Sequence, residues 1–242
     1  VTLDKQDFYR KLVESDVLPT TSQATPAAFD AVFREVAEAG DSAVVITLAS
    51  PLAGTYQSHC LAAEDDDNIY VVDGMTVAVG TGVLAEFAAN LAEQGMEAEK
   101  IAEMVTLKRE DVRVIALLDT LEYLKKGGRI SKTVAFAGGV LNIKPVVTFQ
   151  DGQVQLIGKA RGSRNGNNLL VEKINESGGV DFSKPVLLGY TGLSSALLDK
   201  YEADSSSLWQ GHTEKLERCL MCSVIGTHAG PGAVAVAFFR KA

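Results

Sequence analysis

An α/β architecture in two lobes is what this sequence predicts, on three observations. Short apolar runs alternate with amphipathic stretches in the first part of the chain, the pattern changes character near Val112, and an Asp-Gly turn beyond it joins two strand-like runs. The alternation implies a parallel or mostly parallel sheet flanked by helices over residues 1–112. The hairpin implies a mixed sheet with helices over residues 113–242.

Asp4 is placed to cap a helix running to about Ser15, with Phe8, Leu12 and Val13 on one face, and the polar loop Pro19-Thr-Thr-Ser-Gln-Ala24 follows. Thr25-Pro26 reads as N-cap and first-turn proline of a helix that carries Phe29, Val32, Phe33 and Val36 and stops at Gly40. The continuous apolar runs 43–48 and 69–72 predict strands buried on both faces, with a loop and a helix to about Glu64 between them. Helices over 79–93 and 97–107 complete the alternation. Past the boundary, 112–118 reads as a strand that leads into a short helix and the turn Lys125-Lys-Gly-Gly-Arg-Ile-Ser131. Strands over 144–149 and 153–158 flank Asp151-Gly152. A helix over 163–176, a strand over 185–190, a helix over 194–203 and strands around 222–226 and 233–239 finish the chain.

The composition fits a well-buried core: 46% of the 242 residues are hydrophobic, against 22 Gly and 6 Pro. The longest uncharged apolar runs, 133–141 and 230–239, are about half the ~20 residues a spanning helix needs, so no membrane insertion is expected. Val1-Thr-Leu-Asp-Lys opens without a basic head or apolar signal core, so the chain reads as cytoplasmic. Charge is segmented: residues 1–107 carry 5 Lys/Arg against 18 Asp/Glu, and residues 108–164 carry 11 against 5. With only Tyr123, Phe136 and Phe149 interleaved, the basic segment suits a small anion rather than nucleic acid.

Several motifs are better read as structure. Gly80-Thr-Gly82-Val-Leu-Ala85 has the spelling of a dinucleotide fingerprint, but residues 73–79 separate it from the strand and no acidic residue ends a second strand at the required distance. No phosphate-binding Gly-x-x-x-x-Gly-Lys-Ser/Thr sequence occurs, and neither 50–54 nor 189–192 forms a nucleophile elbow. Glu64-Asp-Asp-Asp67 reads as a solvated loop, and Cys219-Leu-Met-Cys222 as two small apolar residues on a buried element, so no metal site is expected.

Three features share one chemistry. Pro19-Thr-Thr-Ser-Gln23 supplies hydroxyls and N–H groups before a helix N-terminus, where an anion is favoured. Gly127-Gly-Arg129 and Lys159-Ala-Arg161-Gly162 place guanidinium groups beside glycines, so backbone and fork can approach an oxyanion together. His228-Ala-Gly-Pro-Gly232 places an imidazole on a tight loop ahead of a buried strand.

Taken in order, 19–24, Leu52-Ala-Gly-Thr-Tyr-Gln-Ser58, Tyr123-Leu-Lys-Lys-Gly-Gly-Arg-Ile-Ser131, Leu141-Asn-Ile-Lys-Pro145, 159–161 and Ile225-Gly-Thr-His-Ala-Gly-Pro-Gly232 resemble the DegV family of bacterial fatty-acid-binding proteins. The resemblance implies a long-chain fatty acid as ligand, held between two lobes with its tail in the first, and no other cofactor. It also implies that Thr21, with Ser22 beside it, binds the carboxylate, while Arg129, Arg161 and His228 line the head-group end. There a partner resembling dihydroxyacetone kinases would phosphorylate the acid, the binding protein itself catalysing nothing. A tail of about fourteen methylenes at roughly 0.8 kcal/mol each would contribute on the order of ten kcal/mol before ordering costs.

Two departures from the family pattern stand out. Ala53-Gly54-Thr55 replaces the family's Ser-Gly-Thr, whose serine is the second carboxylate partner; Ser50 or the Gly54 backbone N–H is the candidate substitute. The family's opening strand with Thr-Asp-Ser-Thr is not in the sequence, which predicts an exposed sheet edge. The competing reading is a small-molecule phosphotransferase or hydrolase acting through His228 and a clamp of Arg129 and Arg161.

Overall fold

The structure, a computed structural model, describes residues 3–131, 142–213 and 216–241. The apolar run 133–141, with Phe136, lies outside the described residues.

The first helix, α1 (Lys5–Glu14), is capped by Asp4, whose carboxylate accepts from the Asp7 N–H. Its buried face is Phe8, Tyr9 and Leu12; Val13 is 56% exposed and Tyr9 is the residue that goes inward. Tyr9 can do so because its hydroxyl donates to the Met221 carbonyl, which satisfies the polar tip of a ring otherwise in the core. Helix α2 (Pro26–Ala39) begins at its proline and ends at Gly40 with φ +72°, the left-handed conformation that stops a helix.

Strands β1 (Ala43–Thr47) and β2 (Ile69–Asp73), linked through α3 (Thr55–Ala62), form a parallel two-stranded sheet. Helices α4 (Val79–Glu93) and α5 (Ala98–Lys108) cover one side of it. Of the ten strand residues only Thr47, Ile69 and Val72 are buried, so the expectation of burial on both faces is corrected. Among the described residues the two strands pair only with each other, which leaves each with one open edge.

The second sheet holds β3 (Val112–Leu117), β4 (Ile143–Gln150), β5 (Gln153–Arg161), β6 (Val186–Tyr190), β7 (Glu217–Leu220) and β8 (Val234–Phe239), in the order β5-β4-β3-β8-β6-β7. Only β6 and β7 run parallel, so this sheet is mixed. Asp151 and Gly152 both have positive φ, the conformation that a two-residue hairpin turn requires. The central strand β8 is buried throughout. Ala235, Ala237 and Phe239 face the α4 side, while Val234, Val236 and Phe238 face α7 (Ser163–Glu176) and α8 (Ala196–Asp204). The α4-side core runs continuously from Val72 and Leu84 to Val114 and Phe239, so α4 joins the two sheets.

Gly80 and Gly82 lie in the first turn of α4, not in a phosphate loop. A Cβ on Gly80 would come within 2.1 Å of Thr76 Oγ1 and 2.5 Å of Val114 Cγ2, so glycine serves close helix–sheet approach here. The expected strand around 222–226 is a helix, α10 (Ser223–Ala229), preceded by β7. The β-branched Val224 and Ile225 suggested a strand, but they have a tertiary role: Ile225 packs inward beside Ala229, and Gly226 lets α1 lie against the helix. Two short helices, α6 (Glu122–Lys126) and α9 (Ser206–Trp209), complete the chain.

Candidate functional site

Five elements converge on one cavity of about 410 Å³, within the roughly 300–1,000 Å³ typical of ligand sites. The loop before α2 brings Thr21, Ser22 and Gln23, and the N-terminus of α3 brings Leu52, Ala53, Gly54 and Thr55. Helix α10 presents Val224, Ile225, His228 and Ala229 on one face, at helical spacing. Leu124 and Arg129 come from α6 and the turn after it, and Phe149 and Val154 from the hairpin. Leu48 and Val77 complete a wall that is mostly apolar.

The polar groups cluster. Thr21 Oγ1 and His228 Nε2 are 2.8 Å apart, which ties residues 207 positions distant into one hydrogen bond. His228 is in the last turn of α10, not on the expected loop. Burial pushes its pKa below the ordinary imidazole value, and the Arg129 guanidinium lowers it further. The ring is therefore neutral near pH 7. Its Nδ1 is buried with no partner among the described residues, and a Cβ on Gly127 would come within 2.3 Å of it. Gly127 is thus what lets the imidazole in. With the proton on Nε2, His228 donates to Thr21 and leaves a bare acceptor, rather than an orphaned N–H, at Nδ1. Thr21 then keeps its hydroxyl hydrogen for an acceptor in the cavity.

Arg129 is held by its own turn: Nη1 donates to the Gly127 carbonyl at 2.6 Å and Nε to the Leu52 carbonyl at 3.3 Å. A second, more polar cavity of about 510 Å³ shares Leu52, Arg129 and Val154 with the first, so the guanidinium stands between the two.

Thr21, Ser22, Ala53, Gly54, Arg129 and His228 are therefore brought together. Arg161 is not. It ends β5, is exposed, and does not line the cavity, so the expected two-arginine clamp is not assembled. Its basic residue beside a glycine gave the same sequence signal as Arg129, but Gly162 serves the turn into α7, with φ +78°. Ser50 is also absent from the wall; its N–H is turned to the Asp73 carboxylate. Cys219 is half-buried and Cys222 exposed, which corrects the expectation that both are buried. Among the described residues no three His, Cys, Asp or Glu side chains gather as metal ligands.

Gln23 has no sequence signal beyond its place in the anion-favouring loop 19–23, and His59 has none. His59 is buried on α3, stacks on Phe29 with ring centroids 3.5 Å apart, and so fastens α3 to α2 from outside the cavity. Gln23 lines the cavity two residues after Thr21 and donates through Nε2 to Ser58 Oγ at 3.1 Å. No spacing rule points to it, because its position depends on how the loop folds over Gly54.

Fold and cavity together define a class: an α/β protein with a largely apolar pocket that ends in a neutral imidazole, a hydroxyl and one guanidinium. The chain belongs to the DegV family, described as "Uncharacterised protein, DegV family", which matches residues 1–241. It is 35% identical over 244 residues to a DegV domain-containing protein of Caldanaerobacter subterraneus subsp. tengcongensis, covering 100% of this chain and 85% of that one. It is also similar to the solved structure of a fatty-acid-binding DegV family protein from Thermus thermophilus, with 29% identity and a TM-score of 0.85 over 98% of this chain and 85% of that one. A stearic-acid-binding protein from Eubacterium ventriosum is 25% identical, with a TM-score of 0.86 over 100% of this chain and 85% of the other. No helix among the described residues is long and apolar enough to cross a membrane.

Proposed function

We propose that this chain binds a long-chain fatty acid and presents its carboxylate to a partner kinase resembling dihydroxyacetone kinases. The kinase transfers a phosphoryl group to the carboxylate, and the binding protein itself catalyses nothing. The observation that carries the reading is the largely apolar cavity that ends at the Thr21–His228 hydrogen bond with Arg129 beside it. It is supported by the fatty-acid and stearic-acid binding described for the two similar structures. In this reading residues 1–112 form the lobe that takes the tail and residues 113–242 the lobe facing the kinase, in the cytoplasm. Thr21, Ser22 and Gly54 meet the carboxylate, and Arg129 and His228 meet the incoming phosphate. Arg161, exposed at the end of β5, is proposed for the partner side of the head group rather than for contact with the acid.

Lipid extraction of the purified protein followed by mass spectrometry tests this directly, and an acyl ligand is the expected result. Finding none, with no uptake of added fatty acid, would sink the reading. Arg129→Ala and His228→Ala are expected to impair phosphate transfer with the partner more than lipid retention, because the tail supplies most of the affinity. ATP turnover or ester cleavage by the isolated chain would favour the enzymatic alternative instead.

A further inference from the structure

Gln23 stands beside Thr21 on the wall of the cavity. Its Nε2 donates to Ser58, which is only 1% exposed on α3, so the carboxamide is tethered to a buried hydroxyl. Gly54 fixes the other side: a Cβ there would lie 1.8 Å from Gln23 Oε1 and 2.7 Å from its Cδ. The carboxamide of Gln23, an exposed residue, therefore lies over the N-cap of α3 with its oxygen nearest Gly54. The first N–H groups of that helix and the positive end of its dipole are directed to the same place. A primary amide has two N–H donors, and Ser58 takes one of them.

We propose that Gln23 is a head-group contact and specificity-determining residue: anchored by Ser58, it gives its second amide hydrogen to one oxygen of the bound carboxylate at the N-terminus of α3. This rests on the fatty-acid reading above and deepens it. Ala53 has no hydroxyl to offer, and with Gln23 in this role it needs no substitute. A donor to an ionised oxygen makes a stronger bond than one to a neutral hydroxyl, so Gln23 selects an acid over an alcohol with the same tail.

Isothermal titration of the intact chain with palmitate and with hexadecanol tests the contact. Gln23→Glu replaces the donor by an acceptor of the ligand's own charge. It is expected to weaken palmitate by about tenfold or more while leaving hexadecanol within about twofold. Ser58→Ala frees the carboxamide without removing it and is expected to give an intermediate loss for palmitate alone. Unchanged palmitate affinity in Gln23→Glu overturns the assignment. So does an equal loss of both probes, which would make Gln23 a prop of the cavity wall. A native chain that takes up neither probe sinks the fatty-acid reading and this contact with it; a chain that binds palmitate equally well with Glu at position 23 sinks the contact alone.

Discussion

Gly230→Ala is expected to destabilise the chain by about 2–6 kcal/mol, from two causes of about 1–3 kcal/mol each. The first is backbone: Gly230 has φ +72° and ψ 175°, a region that only glycine occupies without strain. The second is space, since a Cβ there would lie 2.3 Å from Tyr123 Cδ2 and 2.6 Å from Cε2. Neither cause relaxes easily. The Thr191 hydroxyl donates to the Gly230 carbonyl at 2.6 Å and its oxygen accepts from the Ala233 N–H at 2.8 Å, so one buried threonine holds both ends of the turn. Urea unfolding monitored by circular dichroism measures the loss. A change below about 0.5 kcal/mol, the range of ordinary surface substitutions, would mean that the turn is not a fixed point of the fold. Because Gly230 lies two residues after His228, the variant should also loosen the imidazole.

Local chemistry made some of the fold legible. Asp151-Gly152, Thr25-Pro26 and Gly40 each act where the sequence puts them, because a hairpin turn and helix ends are decided by the φ preferences of a few residues. What the sequence could not reveal was decided at long range. Val224 and Ile225 have strand propensity, yet α10 forms because one face of it closes the cavity and the other receives Phe8 and Tyr9 at Gly226. Strand β7 has no apolar alternation; it exists because β6 offers a free parallel edge.

The site divided along the same line. Thr21 and His228 were readable as residue types suited to an anion, but their 2.8 Å contact joins the two ends of the chain and has no local signature. Arg129 and Arg161 looked equivalent because both neighbour glycines. They differ in that the turn after α6 folds back on Leu52, while the end of β5 leads out to solvent. Gln23 was legible only as part of the loop 19–23 for the converse reason, since only the absence of a side chain at Gly54 gives its carboxamide its place.

Acidification is expected to cost the native chain more stability than it costs a His228→Gln variant. His228 is held neutral by burial and by Arg129, so its folded pKa lies below its unfolded one. A group so shifted binds fewer protons folded than unfolded. Its contribution is thus full above about 6.5, the ordinary imidazole value, and is lost as pH falls through the lower folded value. Urea midpoints at pH 7.5 and near pH 5, compared between the native chain and His228→Gln, read this out. Equal pH slopes would show that protonation of this ring is not linked to folding. Arg129→Ala should shrink the difference, because it removes one of the two causes and leaves burial alone. A bound carboxylate acts in the opposite direction to Arg129: a negative charge beside the ring favours the protonated form and raises its pKa. The loaded chain should therefore lose less stability on acidification than the empty one, and an acyl ligand that left the slope unchanged would place its carboxylate away from His228.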